Sequence, residues 1–330
     1  MRQPPRALAI LRVCVVVGAT LGIAVAHAQT AWPGKPIHAI VPFPAGGQLD
    51  VVVRTVADRI SPALGQPILV ETKTGADGNI AAEFVARSAP DGYTWLTTSV
   101  PFATAPSLQP KTLRYSPTRD FVPVANLGTS SFVFAVPASL PVNTLQEFVA
   151  YAKARPGKLS YAGTSRGSVV HLSTEMFKRA AGIDMEFIGY AGIPPALTDL
   201  LGDRLQFMSI GVIAALPHIK AGKLKALAVL DRERHRLLPD VPTIGEAGYP
   251  DLTVNTWFGV LVPARTPKEV VQRVNVEIMT ALATPEIAAK LSAIGVDPVK
   301  PHGPEGFGAL LDADIARWGK VVLDAGITTD

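Results

Sequence analysis

Short apolar runs with strand character alternate along the chain with stretches whose apolar residues recur at helical spacing. Ile37 to Val41 is the first strand run. After it, Pro42-Phe43-Pro44-Ala45-Gly46-Gly47 reads as a turn, and Val51 to Ile60 carries helical spacing with a break near Pro62. Further strands are expected at Pro67 to Glu71 and Tyr93 to Thr98, separated by a turn at Gly75 to Asn79 and a helix bearing Ile80, Phe84 and Val85. Residues 101–120, rich in Pro, Thr and Arg, read as irregular. Val122 to Val136 reads as two strands around Gly128-Thr129-Ser130-Ser131, where a first crossing between two lobes is expected.

The second half repeats the alternation. Thr144 and Glu147 form a capping box for a helix from Leu145 to Ala154. A strand at Leu159 to Ala162 leads through Gly163-Thr164-Ser165-Arg166-Gly167-Ser168 into a helix from Val169 to Ala181. Strands at Met185 to Ile188, Leu205 to Ile210 and Leu224 to Leu230 follow, with a helix at Pro195 to Leu201. Pro239 to Thr243 is a rigid connector near the return crossing. A strand at Trp257 to Pro263 and helices at Pro267 to Leu282 and Pro304 to Leu323 close the chain. This alternation predicts an α/β protein with a mostly parallel sheet covered on both faces.

The N-terminus changes the composition that matters. Arg2, Arg6 and Arg12 precede an uncharged apolar run, Val13 to Val25, and Ala26-His27-Ala28 has the small-x-small form of a signal peptidase site. Residues 1–28 are therefore expected to be a signal peptide cleaved after Ala28, with a periplasmic mature chain. Of 31 basic and 27 acidic residues, three arginines and no acids lie in that leader, which leaves 28 against 27. A nearly neutral protein gives no reason to expect nucleic acid as a partner. The single cysteine, Cys14, leaves with the leader, which excludes disulfides, thiol catalysis and thiolate metal sites.

Two strand–turn–helix units carry candidate chemistry. In the first, Gly46 and Gly47 permit positive φ and close ligand approach, and the helix start that follows is suited to an anion. Asp50 either steadies that helix through its dipole or holds a ligand amine or water. In the second, Gly163-Thr164-Ser165-Arg166-Gly167 matches the G-x-S-x-G nucleophile elbow. The downstream histidines, His171, His218, His235 and His302, are poorly spaced for a hydrolase base. The favoured reading is an anion cradle of Thr164, Ser165 and Ser168 with Arg166 as counter-charge. His171 and Glu175 share a helix face but lack a third ligand, so neither a metal nor another cofactor is expected. Trp95, Trp257 and Trp318 are assigned to the core.

The ordered set Val41-Pro42-Phe43-Pro44-Ala45-Gly46-Gly47 with Asp50 and Arg54, Leu64-Gly65-Gln66-Pro67, Gly78-Asn79-Ile80 and Ala89-Pro90-Asp91-Gly92-Tyr93-Thr94 resembles the Bug family, the periplasmic receptors of tripartite tricarboxylate transporters. The resemblance continues through Tyr161, Gly167, Ser168, His171, Gly222 to Ala228 and Leu238 to Thr243. It implies a two-lobed periplasmic binding protein type II-like fold with the ligand in the interlobe cleft, and a non-enzymatic receptor that captures a small carboxylate (a di- or tricarboxylate, an amino acid or an aromatic acid) by hinge closure, with Arg166 either pairing with a second carboxylate or facing solvent. Lobe 1 is expected at 29–128 and 232–330, and lobe 2 at 129–231. The partners implied are the ligand and membrane transporter subunits, or a sensor kinase if the receptor signals, with the protein a monomer. The ligand-binding residues carried over are Phe43, Pro44, Ala45, Gly46, Gly47 and Asp50 in one jaw and Thr164, Ser165, Arg166, Gly167, Ser168 and His171 in the other, with Ser99 and Tyr190 beside them. The sequence departs from the family at Ser165-Arg166-Gly167, where Gly-x-Gly is common, and at Tyr190-Ala191-Gly192, where Tyr-Lys-Gly is frequent. The alternative reading is an exported serine hydrolase using Ser165.

Overall fold

A computed structural model describes residues 32–164 and 166–327. The predicted leader, with Cys14, and the elbow residue Ser165 lie outside the described residues. Strand β1 (Ile37–Val41) is followed by α1 (Gln48–Leu64), β2 (Ile68–Thr72), a 3₁₀ turn at Ala76–Gly78, α2 (Asn79–Ala86), β3 (Thr94–Thr98) and α3 (Pro101–Leu108). The long strand β4 (Phe121–Pro137) then leads to α4 (Leu145–Lys153), β5 (Ser160–Gly163), α5 (Val169–Ala181), β6 (Glu186–Gly189) and α6 (Ile193–Leu201). Next come β7 (Phe207–Gly211), α7 (Val212–Lys220), β8 (Leu224–Val229), β9 (Asn255–Pro263), α8 (Lys268–Leu282), α9 (Pro285–Ala293) and α10 (Pro304–Ala325).

The sheet runs β2-β1-β3-β9-β4-β7-β5-β6, with β8 also on β4. It is parallel only toward its two ends, where β1 pairs with β2 and β3, and β5 with β6 and β7. Around β4 and β9 it is antiparallel, so the expectation of a mostly parallel sheet is corrected. The antiparallel centre arises because the chain crosses the molecule twice along neighbouring strands. β4 pairs with β9 from Phe121 to Ser131, and from Phe132 onward its partners are β7 and β8. The return begins where the Leu230 N–H donates to the Phe132 carbonyl and the Val254 N–H donates to that of Leu230.

β4 is one strand, not the two expected, because bulges between Pro123 and Ala125 and between Asn126 and Gly128 let it bend without breaking. Its alternating side chains supply both faces of the sheet. Phe134 and Val136 join a cluster in which Phe134 lies 4.9 Å from both Phe177 and Phe207, while Val133 and Ala135 enter a second core with Met208 and Ile210.

Other differences from the expected elements have local causes. Helix α1 continues past Pro62 to Leu64 and ends at Gly65, which takes the left-handed conformation and donates its N–H to the Ser61 and Pro62 carbonyls. Residues 101–108 are helical because Pro101 fits the first helical turn, despite Pro106. Helix α9 also starts on a proline, Pro285, and was not anticipated. Thr144 caps α4 as expected, with the Glu147 N–H donating to its hydroxyl at 3.1 Å, while the Glu147 carboxylate accepts from the Asn143 N–H at 2.6 Å, one residue before the cap.

The three tryptophans Trp95, Trp257 and Trp318 are buried, as expected. Trp257, on the return strand beside the crossing, donates its indole N–H to Asp314 of α10 at 2.7 Å, and Asp314 is ion-paired to Arg317 at 3.1 Å. Helix α10 is thus pinned to the crossing strands by a buried polar contact. Asp314→Ala leaves the indole N–H unpaired and is expected to lower stability by about 1–3 kcal/mol in urea unfolding. Loss of under about 0.5 kcal/mol would mean the contact does not hold the helix.

Candidate functional site

The two strand–turn–helix units are built alike. In the first, Gly46 takes φ +80° and Gly47 is the N-cap of α1 with ψ 162°. The Gly47 N–H donates to the Pro44 carbonyl at 3.2 Å, and the Gly46 N–H donates to the Asp50 carboxylate at 2.9 Å. In the second, Gly167 takes φ +81° and Ser168 is the N-cap of α5 with ψ 156°. The Gly167 N–H donates to Nδ1 of His171 at 3.0 Å. In each unit a left-handed glycine precedes the N-cap, and the side chain four residues on accepts its N–H. The acceptors are buried, Asp50 at 3% and His171 at 2% exposure. They brace the turns from behind and leave the helix starts facing outward.

Each acceptor is held in turn. The Asp50 carboxylate receives the Arg54 guanidinium at 3.0 Å on both oxygens. Burial opposes its charge, but the Arg54 and Gly46 donors overcome that and hold the carboxyl below its usual range. In the structure the Asp50 carboxylate is thus engaged by the Gly46 N–H and by Arg54. The His171 ring stacks on Tyr161 and lies 4.4 Å from Phe187. Burial pushes its pKa down to about 4, with Arg166 and Lys178 lowering it further against the pull of Glu175. His171 is therefore neutral, with Nδ1 as acceptor and the proton on Nε2. Glu175 is engaged on one carboxylate oxygen by the Tyr161 hydroxyl and by Lys178 at 2.7 Å. Among the described residues no cluster of three metal-ligating side chains occurs.

Both turns open on one cavity of about 690 Å³. Of the residues read from the sequence, Phe43, Gly46, Ser99, Thr164, Arg166, Gly167 and Ser168 line it. Pro44, Ala45 and Gly47 are exposed on the first turn outside the wall, while Asp50 and His171 sit behind it. Tyr190 is elsewhere, its hydroxyl donating to Asp199 at 2.8 Å. The wall also contains residues that sequence reasoning did not single out, among them Gln48, Asp77, Leu108, Phe132, Ile213 and Ile294. Ile213 follows Gly211, an N-cap between β7 and α7, and this third strand–Gly–helix unit was a legible signal. Leu108 touches the second turn so closely that a Cβ on Gly167 would lie 2.4 Å from its Cδ1.

Helices α1, α2, α3, α5, α6 and α7 all start at this cavity. Their first N–H groups are not equally available. In α2 the Asn79 N–H is bonded to the Ala76 carbonyl. In α3 residue Pro101 has no N–H, and the next three N–H groups donate to the carbonyls of Ser99 and Val100. In α6 Pro194 and Pro195 remove two donors. In α5 the His171 N–H donates to the Ser168 hydroxyl at 3.3 Å, while no side-chain cap closes the start of α1. Both starts belong to the braced turns.

The model of the family described as "Tripartite tricarboxylate transporter family receptor" matches residues 52–327. The chain belongs to this receptor family. It is 37% identical to protein BugT of Bordetella pertussis over 320 residues, which is 96% of this chain and 98% of that one. Among solved structures it resembles the periplasmic binding protein BugD, with TM-score 0.77 and 33% identity over 90% of this chain and all of that one. It also resembles a protein of R. palustris solved with adipate, with TM-score 0.79 and 35% identity over 90% and 99% of the two chains. MatC from Rhodopseudomonas palustris, solved with bound malate, matches with TM-score 0.76 and 33% identity over 88% and 100%. The fold is accordingly that of the Bug-type periplasmic solute-binding proteins, and the relatives are binding proteins.

The neutral state of His171 makes this receptor's stability depend on pH. With its folded pKa near 4 and an unfolded value near 6.5, the unfolded chain takes up the proton first as pH falls. Stability is therefore lost as pH drops from about 6.5 toward 4. Between pH 7.5 and 5 this group alone should remove roughly 2 kcal/mol. His171→Gln keeps an acceptor for the Gly167 N–H but does not titrate. Urea unfolding at the two pH values should show a loss about 2 kcal/mol smaller in the variant, and equal losses would rule out a buried neutral imidazole.

Proposed function

We propose that the protein is an extracytoplasmic receptor that captures a small carboxylate between its two braced turns by hinge closure and delivers it to a tripartite tricarboxylate-type transporter. The observation that carries this reading is the convergence of two helix starts, each behind a left-handed glycine whose N–H is captured four residues on, on one cavity with Arg166 beside the second. Backbone N–H groups at a helix start, reinforced by the dipole and a guanidinium, replace the water that a carboxylate loses on entering a cleft. The relatives solved with adipate and malate support a carboxylate as the ligand class. Export through residues 1–28 and a periplasmic location are part of the proposal, supported by the arginine-led apolar leader and by the periplasmic relatives.

Lobe 1 is assigned to 29–128 and 232–330 and lobe 2 to 129–231. The change of partners along β4 between Ser131 and Phe132, and the return after Leu230, support these limits. Each jaw then belongs to one lobe, and the crossing strands are the place for a hinge. The carboxylate contacts are assigned to the N–H groups of the two turns, with Thr164, Arg166 and Ser168 as side-chain donors.

The geometry favours binding over hydrolysis. No histidine is among the described residues that line the cavity. His171, on the elbow's own helix, has its accepting nitrogen occupied by the Gly167 N–H and cannot take a serine proton in that state.

Two measurements test the reading. Carboxylates from a panel of mono-, di- and tricarboxylates should raise the melting temperature of the purified protein, while the corresponding amides should not. A panel without any shift, or equal shifts from the amides, would contradict it. Gly167→Ala places a Cβ at φ +81° and against Leu108. It should weaken the best carboxylate at least about tenfold by titration calorimetry, in line with about 1.4 kcal/mol or more of strain and lost donors. Unchanged affinity would remove the second turn from the site.

A further inference from the structure

We infer that the cleft selects carboxylates with one charge and an apolar body, an alkyl- or aryl-monocarboxylate, over di- and tricarboxylates. The inference rests on the reading of the cleft as a carboxylate site and concerns what lies beyond the first carboxylate. Among the described residues the wall has one cation, Arg166, and one acid, Asp77. Arg166 sits in the second turn, two residues before the N-cap of α5, where the first carboxylate is expected. Its charge is assigned to that group, with the guanidinium 5.4 Å from the Phe187 ring. A second carboxylate would have no side-chain cation and would share the cavity with Asp77, and a buried unpaired charge is strongly disfavoured.

The remaining donors do not repair this deficit. The starts of α2, α3 and α6 each lose donors to internal hydrogen bonds or to prolines, and none has a cation beside it. Several polar side chains of the far wall are already engaged, and the others, Ser99, Gln109, Ser130 and Thr256, are uncharged. Gln48 donates to the Ile294 carbonyl at 2.8 Å and to the Ser130 hydroxyl at 3.4 Å. The Asn79 amide donates to Gln109 and accepts from the Tyr115 hydroxyl, both at 2.7 Å. Thr104 donates to the Pro101 carbonyl at 3.1 Å. The start of α7 has no proline block, but it is flanked by Ile213 and Ala214 and has no cation beside it. The rest of the wall is apolar, with Phe43, Leu108, Phe132, Ile193, Ile213 and Ile294 around a volume much larger than one carboxylate. Such a wall gains from hydrocarbon and loses from charge.

Hexanoate and adipate share a six-carbon chain and differ by one carboxylate, so they separate the two cases. Titration calorimetry on the protein purified from cells expressing the full chain should give hexanoate a Kd at least about tenfold below that of adipate, with citrate weaker still. From acetate to hexanoate the affinity should rise by about fourfold per methylene. Ile193→Asn should flatten that rise. Adipate or citrate binding as tightly as hexanoate, or a flat chain-length series in the unaltered protein, would overturn the inference while leaving the carboxylate reading intact. If neither these acids nor benzoate bind, the carboxylate reading fails, and the inference fails with it.

Discussion

A glycine N–H captured by the side chain four residues ahead is the interaction on which the site depends. It occurs twice, from Gly46 to Asp50 and from Gly167 to His171. The left-handed glycine turns the chain sharply into the helix, and the captured N–H fixes that turn. Without the capture, each helix start would be free to fray, and its outward N–H groups would lose the fixed direction an anion needs. The two acceptors meet the same requirement with different chemistry. Asp50 is kept charged by Arg54, whereas His171 is kept neutral by burial between aromatic rings. Opposite protonation tendencies thus produce the same geometry at neutral pH.

The topology explains why two such turns meet. A strand followed directly by a helix places the helix start at the strand's C-terminal end. β1 delivers α1 and β5 delivers α5 to a common cavity because β4 and β9 cross side by side between the two ends of the sheet. Trp257 and Asp314 anchor α10 against those crossings, so a stability contact and the functional geometry share the same strands. Leu108 reaches from α3 to the surface of Gly167, where only glycine leaves room. The second turn is therefore shaped both by its own backbone and by a side chain more than fifty positions earlier in the chain.

Much of this was legible from residue pattern. The strand–Gly–helix units at Val41 to Asp50 and Gly163 to His171 were readable because strand runs, glycines and helical spacing are local signals. The equivalence of the two turns was hidden, since Asp50 and His171 share no chemistry except the ability to accept a hydrogen bond. The single strand β4 was hidden because its bulges at Pro123 and Gly128 look like breaks when the partner β9, more than a hundred residues away, is unknown. The bond from the Tyr190 hydroxyl to Asp199 on α6 is a contact that spacing does not show. The apolar wall was invisible for the same reason, because Phe132, Ile193 and Ile294 come from three distant elements.

The most direct measurement is a crystal structure of the protein with its best-binding carboxylate. The account requires one carboxylate lodged between the two turns, with oxygens about 3 Å from backbone N–H groups at the starts of both α1 and α5. Asp50 and His171 should remain behind those turns and out of contact with the ligand. A carboxylate held by one turn alone, or bound directly to Asp50 or His171, would contradict it.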